Sequence, residues 1–171
     1  MSAGSSSQYP GEAPVTVIKD LSRLAPSVER MVRAALDECV AAGLDAVVYE
    51  SERTQETQAI YYARGRTQIP PHDTCTHAAT ALHAYHIFRV AVDVISASKE
   101  WDVSDTWREQ VTQIFATHGM AWGGDWPGTF KDFPHYQPAS LPHLIPSDDA
   151  RARFAADGGP EGCWTIWGLD T

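Results

Sequence analysis

"ALHAYHIFRVAVDVI", residues 81–95, sets the problem that the rest of the chain answers. Asp93 sits inside a run containing Val90, Val92, Val94 and Ile95, which predicts a strand. Burying an unpaired carboxylate is costly, so Asp93 needs a strong partner, either a metal ion or an arginine. His86 precedes Asp93 by seven positions. In a continuous strand an odd spacing points two side chains to opposite faces. The two converge only if the chain bends between them. His86 is therefore expected just before the strand, with Asp93 within it.

A second stretch, "KDFPHYQ" at 131–137, supplies matching chemistry. Asp132 and His135 are three apart, and Pro134 restricts the backbone before the histidine. Two histidines and one aspartate, here His86, His135 and Asp93, have the composition of a catalytic zinc site that keeps its fourth position for water. Asp132 would then be a carboxylate close to the metal and free to move a proton. His83 and His86 also make an HxxH pair, but that signal is weak beside a strand. His77 and His83 are expected as neighbours or bystanders.

Arg53 lies in "YESERTQETQ", 49–58, where a strand should give way to a helix with Thr54 as its N-cap. Its guanidinium suits a carbonyl oxygen or carboxylate. Neutralising the glutamates around it at the surface is the other reading. "WGGDW", 122–126, is read as a cleft wall whose glycines admit a peptide, or as tryptophans packed in the core.

The whole chain has 171 residues, enough for one core. Residues 1–14 are Ser/Gly/Pro-rich and expected to be mobile; residues 15–171 are expected to form the domain. The net charge of -9 argues against nucleic acid or an anionic membrane as partner. Cys39, Cys75 and Cys163 form no CxxC pair, so neither a disulfide framework nor a cysteine zinc site is expected. No basic start followed by an apolar run opens the chain, and no run reaches membrane-spanning length. Synthesis in the cytosol is expected. Helical patterns fall at 25–43, 54–66 and 104–119, with Gly43 as a stop for the first. "MAWGGDWPGTFKDFPHYQ" reads as irregular, ending in a short strand, and the region after Pro138 as proline-rich. Helices and strands alternate without a βαβ rhythm. The fold class is α+β, a small antiparallel sheet with packed helices and a zinc site at the sheet.

The order of "SERTQETQAIYYARGRT", "HIFRVAVD", "WGGDW" and "DFPHYQ" resembles the zinc D,D/L,D-peptidase family that includes the VanY-type carboxypeptidases. Within it the chain looks most like the L-alanyl-D-glutamate endopeptidases that phages use as endolysins. The resemblance runs from about residue 18 to 137. It implies that His86, Asp93 and His135 hold Zn2+, that Asp132 is general base and acid, and that Arg53, with Gln58 nearby, steadies an oxyanion. The implied partner is the peptidoglycan stem peptide, met by a monomer after holin-mediated release. A D,D-carboxypeptidase removing terminal D-Ala, or a non-catalytic zinc or cell-wall peptide-binding domain, would share these residues. Two positions depart from the family pattern. A serine two before the first histidine is Ala84 here, and a glycine three after it is Arg89. If that glycine is left-handed, arginine carries about 1 kcal/mol of strain there.

Overall fold

Four antiparallel strands in the order β1-β2-β4-β3 form the sheet of the computed structural model, which describes residues 15–68, 74–142 and 145–171. The expectation for residues 1–14 lies outside the described residues, as do His72 and His143. The strands are β1 (Ala46–Glu50), β2 (Val92–Ser96), β3 (Met120–Trp122) and β4 (His135–Pro138).

Helix α1 (Pro26–Ala41) starts on a proline, which suits a first-turn position that has no N–H partner to lose. Its stripe Val28, Val32, Ala35 and Cys39 is fully buried, and Gly43 ends it at φ 76. Helix α2 (Gln55–Ala63) begins at Thr54, whose side chain accepts from the Thr57 N–H. Helix α3 (Asp105–Thr117) begins at Ser104, which accepts from the Trp107 N–H, and buries Val111 and Phe115. These side chains join Val92, Val94, Met120 and Tyr136 of the sheet in one core. Phe115 and Tyr136 meet with ring centres 4.4 Å apart.

Two regions differ from expectation. The start of the aromatic stretch is the strand β3, paired along its length with β4. The C-terminal region is helical, with α4 (Asp148–Asp157) and α5 (Glu161–Trp167). Ser147 caps α4, and Gly158 and Gly168 close α4 and α5 at φ 69 and 65. "CWTIWGLDT" packs back onto the core: Cys163 and Leu169 are buried. Trp164 Nε1 donates to the Phe88 carbonyl at 2.8 Å, and Phe154 and Trp167 flank the Phe88 ring at 5.0 and 5.4 Å. The two short helices thus clamp the segment that carries His86. Among the described residues no helix is long and apolar enough to cross a membrane.

Candidate metal centre

The bend required between His86 and Asp93 is present. His86 lies on a 3-10 turn, Tyr85–Phe88, and Arg89 closes that turn at φ 56, ψ 40. A left-handed residue reverses the chain in one step, and Val90 then leads into β2. Arg89 therefore occupies the strained conformation that glycine adopts freely, at a cost of roughly 1–2 kcal/mol. Its side chain is anchored from both sides, Nε to Glu52 at 2.9 Å and Nη1 to Glu161 at 2.9 Å.

Register then assembles the rest. Asp93 is directly opposite His135 across the β2–β4 pair, and Val92 is opposite Tyr136. Since Tyr136 faces the core, His135 and Asp93 share the other face. On the opposite edge, β1 carries a bulge between Val48 and Glu50, which pair with Val94 and Asp93. The extra residue re-aims the end of β1 so that Glu50, rather than Tyr49, is opposite Asp93. The Arg53 N–H donates to the His86 carbonyl at 3.3 Å, tying the next loop to the 3-10 turn.

One nitrogen from each of His86 and His135 and one Asp93 oxygen lie within 4.8 Å of one another, and all three residues are buried. His86 Nε2 is 3.3 Å from Asp93 Oδ1, and His135 Nδ1 is 3.6 Å from the same oxygen. His86 Nε2 and Asp93 Oδ1 find no hydrogen-bonding partner in the chain. Buried polar atoms are rarely left so, because each costs about 1–3 kcal/mol. Two orphaned donor atoms converging with a third nitrogen, in a nitrogen/carboxylate set, fit a divalent cation such as zinc.

The electrostatics agree with such a site. Burial drives His86 well below the usual histidine range, helped by the Arg53 charge, so its imidazole is neutral and able to ligate. Burial opposes the Asp93 charge, but His86, His135 and Arg53 outweigh it and hold the carboxyl at about 2. Asp132 lines the same cleft, and burial together with the Asp93 charge lifts it to about 6. That is the poise of a group able to take and return a proton near neutrality.

Arg53 is not a surface arginine. Its side chain is 9% exposed and threaded between Glu50, Gln58 and Asp93. Nε donates to Glu50 Oε2 at 2.7 Å, Nη1 to Gln58 Oε1 at 3.0 Å, and Nη2 approaches Asp93 Oδ2 at 3.4 Å. Asp93 thus has an arginine beside it, yet that arginine approaches Oδ2 and leaves Oδ1 without a partner. Burial lifts Glu50 to about 7, with Asp93 adding to the shift against the Arg53 charge.

The cleft around these groups has a volume of about 710 Å³. His77 and His83 line it but lie outside the ligand cluster. Arg64 lines it too, whereas Arg66 donates to the Tyr62 and Thr76 carbonyls and Lys131 to that of Trp126. Of the expected tryptophan wall, Trp126 lines the cleft, with its ring 5.0 Å from that of His135. Trp122 is instead held by the Phe133 carbonyl at 2.7 Å and stacks near the Phe133 ring. Gly123 admits the protein's own chain rather than a substrate: a Cβ there would collide with the Asp132 backbone carbonyl oxygen and meet Asp132 Cβ and His135 Cβ at 3.0 Å.

Two contributors escaped sequence reasoning, Glu50 and Gln137, and Gly123 was expected to admit a substrate peptide rather than the protein's own chain. Glu50 had a signal in its spacing of three from Arg53, and Gln137 in its spacing of two from His135, which puts both on one face of a strand. For Gly123 the paired glycines signalled a close approach but not its partner, because the contact that requires glycine is with residues nine and twelve positions away.

A family model described as D-alanyl-D-alanine carboxypeptidase matches residues 77–138. The peptidoglycan L-alanyl-D-glutamate endopeptidase CwlK of Bacillus subtilis (strain 168) is 31% identical over 128 residues, covering 68% of this chain and 74% of CwlK. The L-alanyl-D-glutamate peptidase of Listeria phage A118 is 29% identical over 125 residues, covering 70% of this chain; the match spans 40% of the phage protein's length. The crystal structure of the Serratia marcescens L-Ala D-Glu endopeptidase ChiX superimposes with a TM-score of 0.50 at 26% identity, covering 69% of this chain and 82% of ChiX.

Proposed function

From a chain that belongs to the zinc D,D/L,D-peptidase family, we propose a peptidoglycan peptidase that hydrolyses the bond between L-alanine and D-glutamate in the stem peptide. The observation that carries the reading is the convergence of orphaned His86 Nε2 and Asp93 Oδ1 with His135 beside a spare, raised-pKa Asp132. The L-alanyl-D-glutamate in the names of the relatives that match over most of the chain supports the choice of bond.

His86, Asp93 and His135 would hold Zn2+. The ion supplies Lewis-acid chemistry, polarising a carbonyl and acidifying a water. Asp132 takes the proton of the attacking water and returns it to the departing amine, help worth about 10²–10⁴-fold in rate. Arg53 faces the developing oxyanion with a guanidinium whose orientation Glu50 and Gln58 fix beforehand, so no reorganisation is needed as charge appears.

Mass spectrometry of peptidoglycan fragments incubated with the zinc-loaded protein, with and without a chelator, tests the reading. New chelator-sensitive ends between L-Ala and D-Glu are the expected result. Release of terminal D-Ala would instead favour the D,D-carboxypeptidase named by the family model. Intact fragments with zinc verified in place would leave a binding domain.

A further inference from the structure

The cleft has an aromatic feature that the hydrolytic chemistry does not use. Beyond β2 the chain makes a tight turn, with Ser96 and Glu100 exchanging backbone hydrogen bonds at 3.1 and 2.9 Å. Asp45 holds this turn, accepting from Ser96 Oγ at 2.7 Å, the Ser98 N–H at 2.9 Å and Trp107 Nε1 at 3.1 Å. Glu100 is left-handed, φ 52; among the described residues Arg89 is the other non-glycine in that region. Backbone strain of this kind persists where the surroundings enforce it, and it often marks a functional position.

The strained residue presents its neighbour, Trp101, to the cleft. Trp101 is 49% exposed and lines the cleft together with Asp132 and His135. Its ring meets Tyr49 edge-on at 4.6 Å, and Lys19 sits over the Tyr49 ring at 5.3 Å. The indole is thus backed by a held aromatic ring while half its surface stays open to solvent. Trp126 offers a contrast, being 8% exposed and packed against His135 and Phe130. Trp126 is a wall, and Trp101 is a platform.

A flat, half-exposed apolar face in a cleft suits stacking, and a pyranose ring is one ligand chemistry that offers it. Its axial C–H bonds stack on an indole while its hydroxyls stay hydrated. The proposed substrate provides such a ring in the right place. The amino group of the stem peptide's L-alanine is joined to the lactyl group of an N-acetylated sugar, so a pyranose lies one residue from the proposed scissile bond. A cleft of about 710 Å³ is also large for two amino-acid residues alone, lying in the upper part of the usual range for ligand sites.

We propose that Trp101 is a sugar-stacking platform that takes the N-acetylmuramyl ring, so that the protein selects stem peptides still attached to glycan. The inference rests on the endopeptidase reading. A terminal D-Ala site would sit several residues from the sugar.

The test compares kcat/KM of the zinc-loaded full chain on a disaccharide-linked stem peptide and on the same peptide without sugar. The parent should prefer the sugar-linked form by about 3–10-fold, the range of a good aromatic contact. Trp101→Ala should bring that ratio close to one, and Trp101→Tyr should restore part of it. No preference in the parent, or an equal loss on both substrates in Trp101→Ala, overturns the proposal. A second measurement needs no turnover: calorimetric binding of N-acetylglucosaminyl-N-acetylmuramyl-L-alanine, which lacks the scissile bond, against L-alanine amide. Sugar-dependent binding lost in Trp101→Ala supports the platform even if neither peptide is cut, an outcome that would sink the endopeptidase reading alone. Equal binding of the sugar compound by parent and Trp101→Ala overturns the platform.

Discussion

His135 Nε2 and Gln137 Oε1 are 2.9 Å apart, and the other end of the Gln137 amide donates to the Pro142 carbonyl at 2.9 Å. The second bond settles the first. With Nε2 of the amide committed as donor, its oxygen must accept, so the imidazole carries its proton on Nε2. Nδ1, the nitrogen facing Asp93, is then the one left to supply a lone pair to a cation. A buried glutamine, 1% exposed, therefore selects the tautomer that can ligate.

Replacing Gln137 by Leu should thus weaken zinc binding while preserving the fold. Outer partners of this kind are typically worth about 10–100-fold in metal affinity. Competition against a chromophoric chelator measures it. Gln137→Glu, which still accepts from Nε2, should retain more affinity than Leu. Equal affinity in the parent and the Leu variant would remove the tautomer argument.

The same tightness appears on the other side of His135. A methyl group at residue 123 would collide with the Asp132 backbone carbonyl oxygen and press on Asp132 Cβ and His135 Cβ at 3.0 Å, inside normal contact. The Asp132 N–H also donates to the Gly123 carbonyl at 3.2 Å, so the backbone there has little room to retreat. Gly123→Ala should displace a proposed ligand and the proposed base together. We expect zinc affinity and hydrolysis to fall at least tenfold, with about 1–3 kcal/mol lost from stability. Far-ultraviolet circular dichroism and chelator competition on the same sample separate local displacement from unfolding.

Much of this candidate site was legible in the sequence. His86 and Asp93 stood out because ligand type and odd spacing together demanded a bend before the strand, and Arg89 supplies it; Asp132 and His135 stood out as matching chemistry three residues apart. Thr54 and Ser104 announced their helices because a cap must satisfy N–H groups that the helix leaves open. What escaped was non-local. The bulge that moves Glu50 opposite Asp93 arises from strand pairing and leaves no mark in β1 alone. Helices α4 and α5 were hidden by the prolines around them, although Ser147 and Gly158 bracket α4 as start and stop signals.

Arg89 offers a test of the backbone itself. Arg89→Gly and Arg89→Ala both remove the ion pairs to Glu52 and Glu161. They differ in how they tolerate φ 56. The Ala variant should be less stable than the Gly variant by about 1 kcal/mol, the left-handed penalty less the entropy of an added glycine. Urea midpoints at equal m-values give the difference. Equal stability would mean that residue 89 is not left-handed in solution.

Asp132 makes the sharpest prediction, because its proton has consequences for both folding and catalysis. In the metal-free protein its pKa rises from 3.8 to about 6, chiefly through burial and next through the Asp93 charge. Between these values the folded state holds a proton that the unfolded state has released. Its contribution to stability is therefore complete below pH about 4 and is lost as pH rises through about 6. Asparagine carries no such dependence. In chelator, the Tm of Asp132→Asn relative to the parent should climb across that window and level off above it. A flat difference would mean that the carboxyl is not perturbed. In the zinc-loaded form the same substitution should leave metal content unchanged and cut hydrolysis by about 10²–10⁴-fold, the range of positioned acid–base help. Metal analysis and turnover on one preparation decide it: full hydrolysis with zinc in place would take the proton-transfer role away from Asp132.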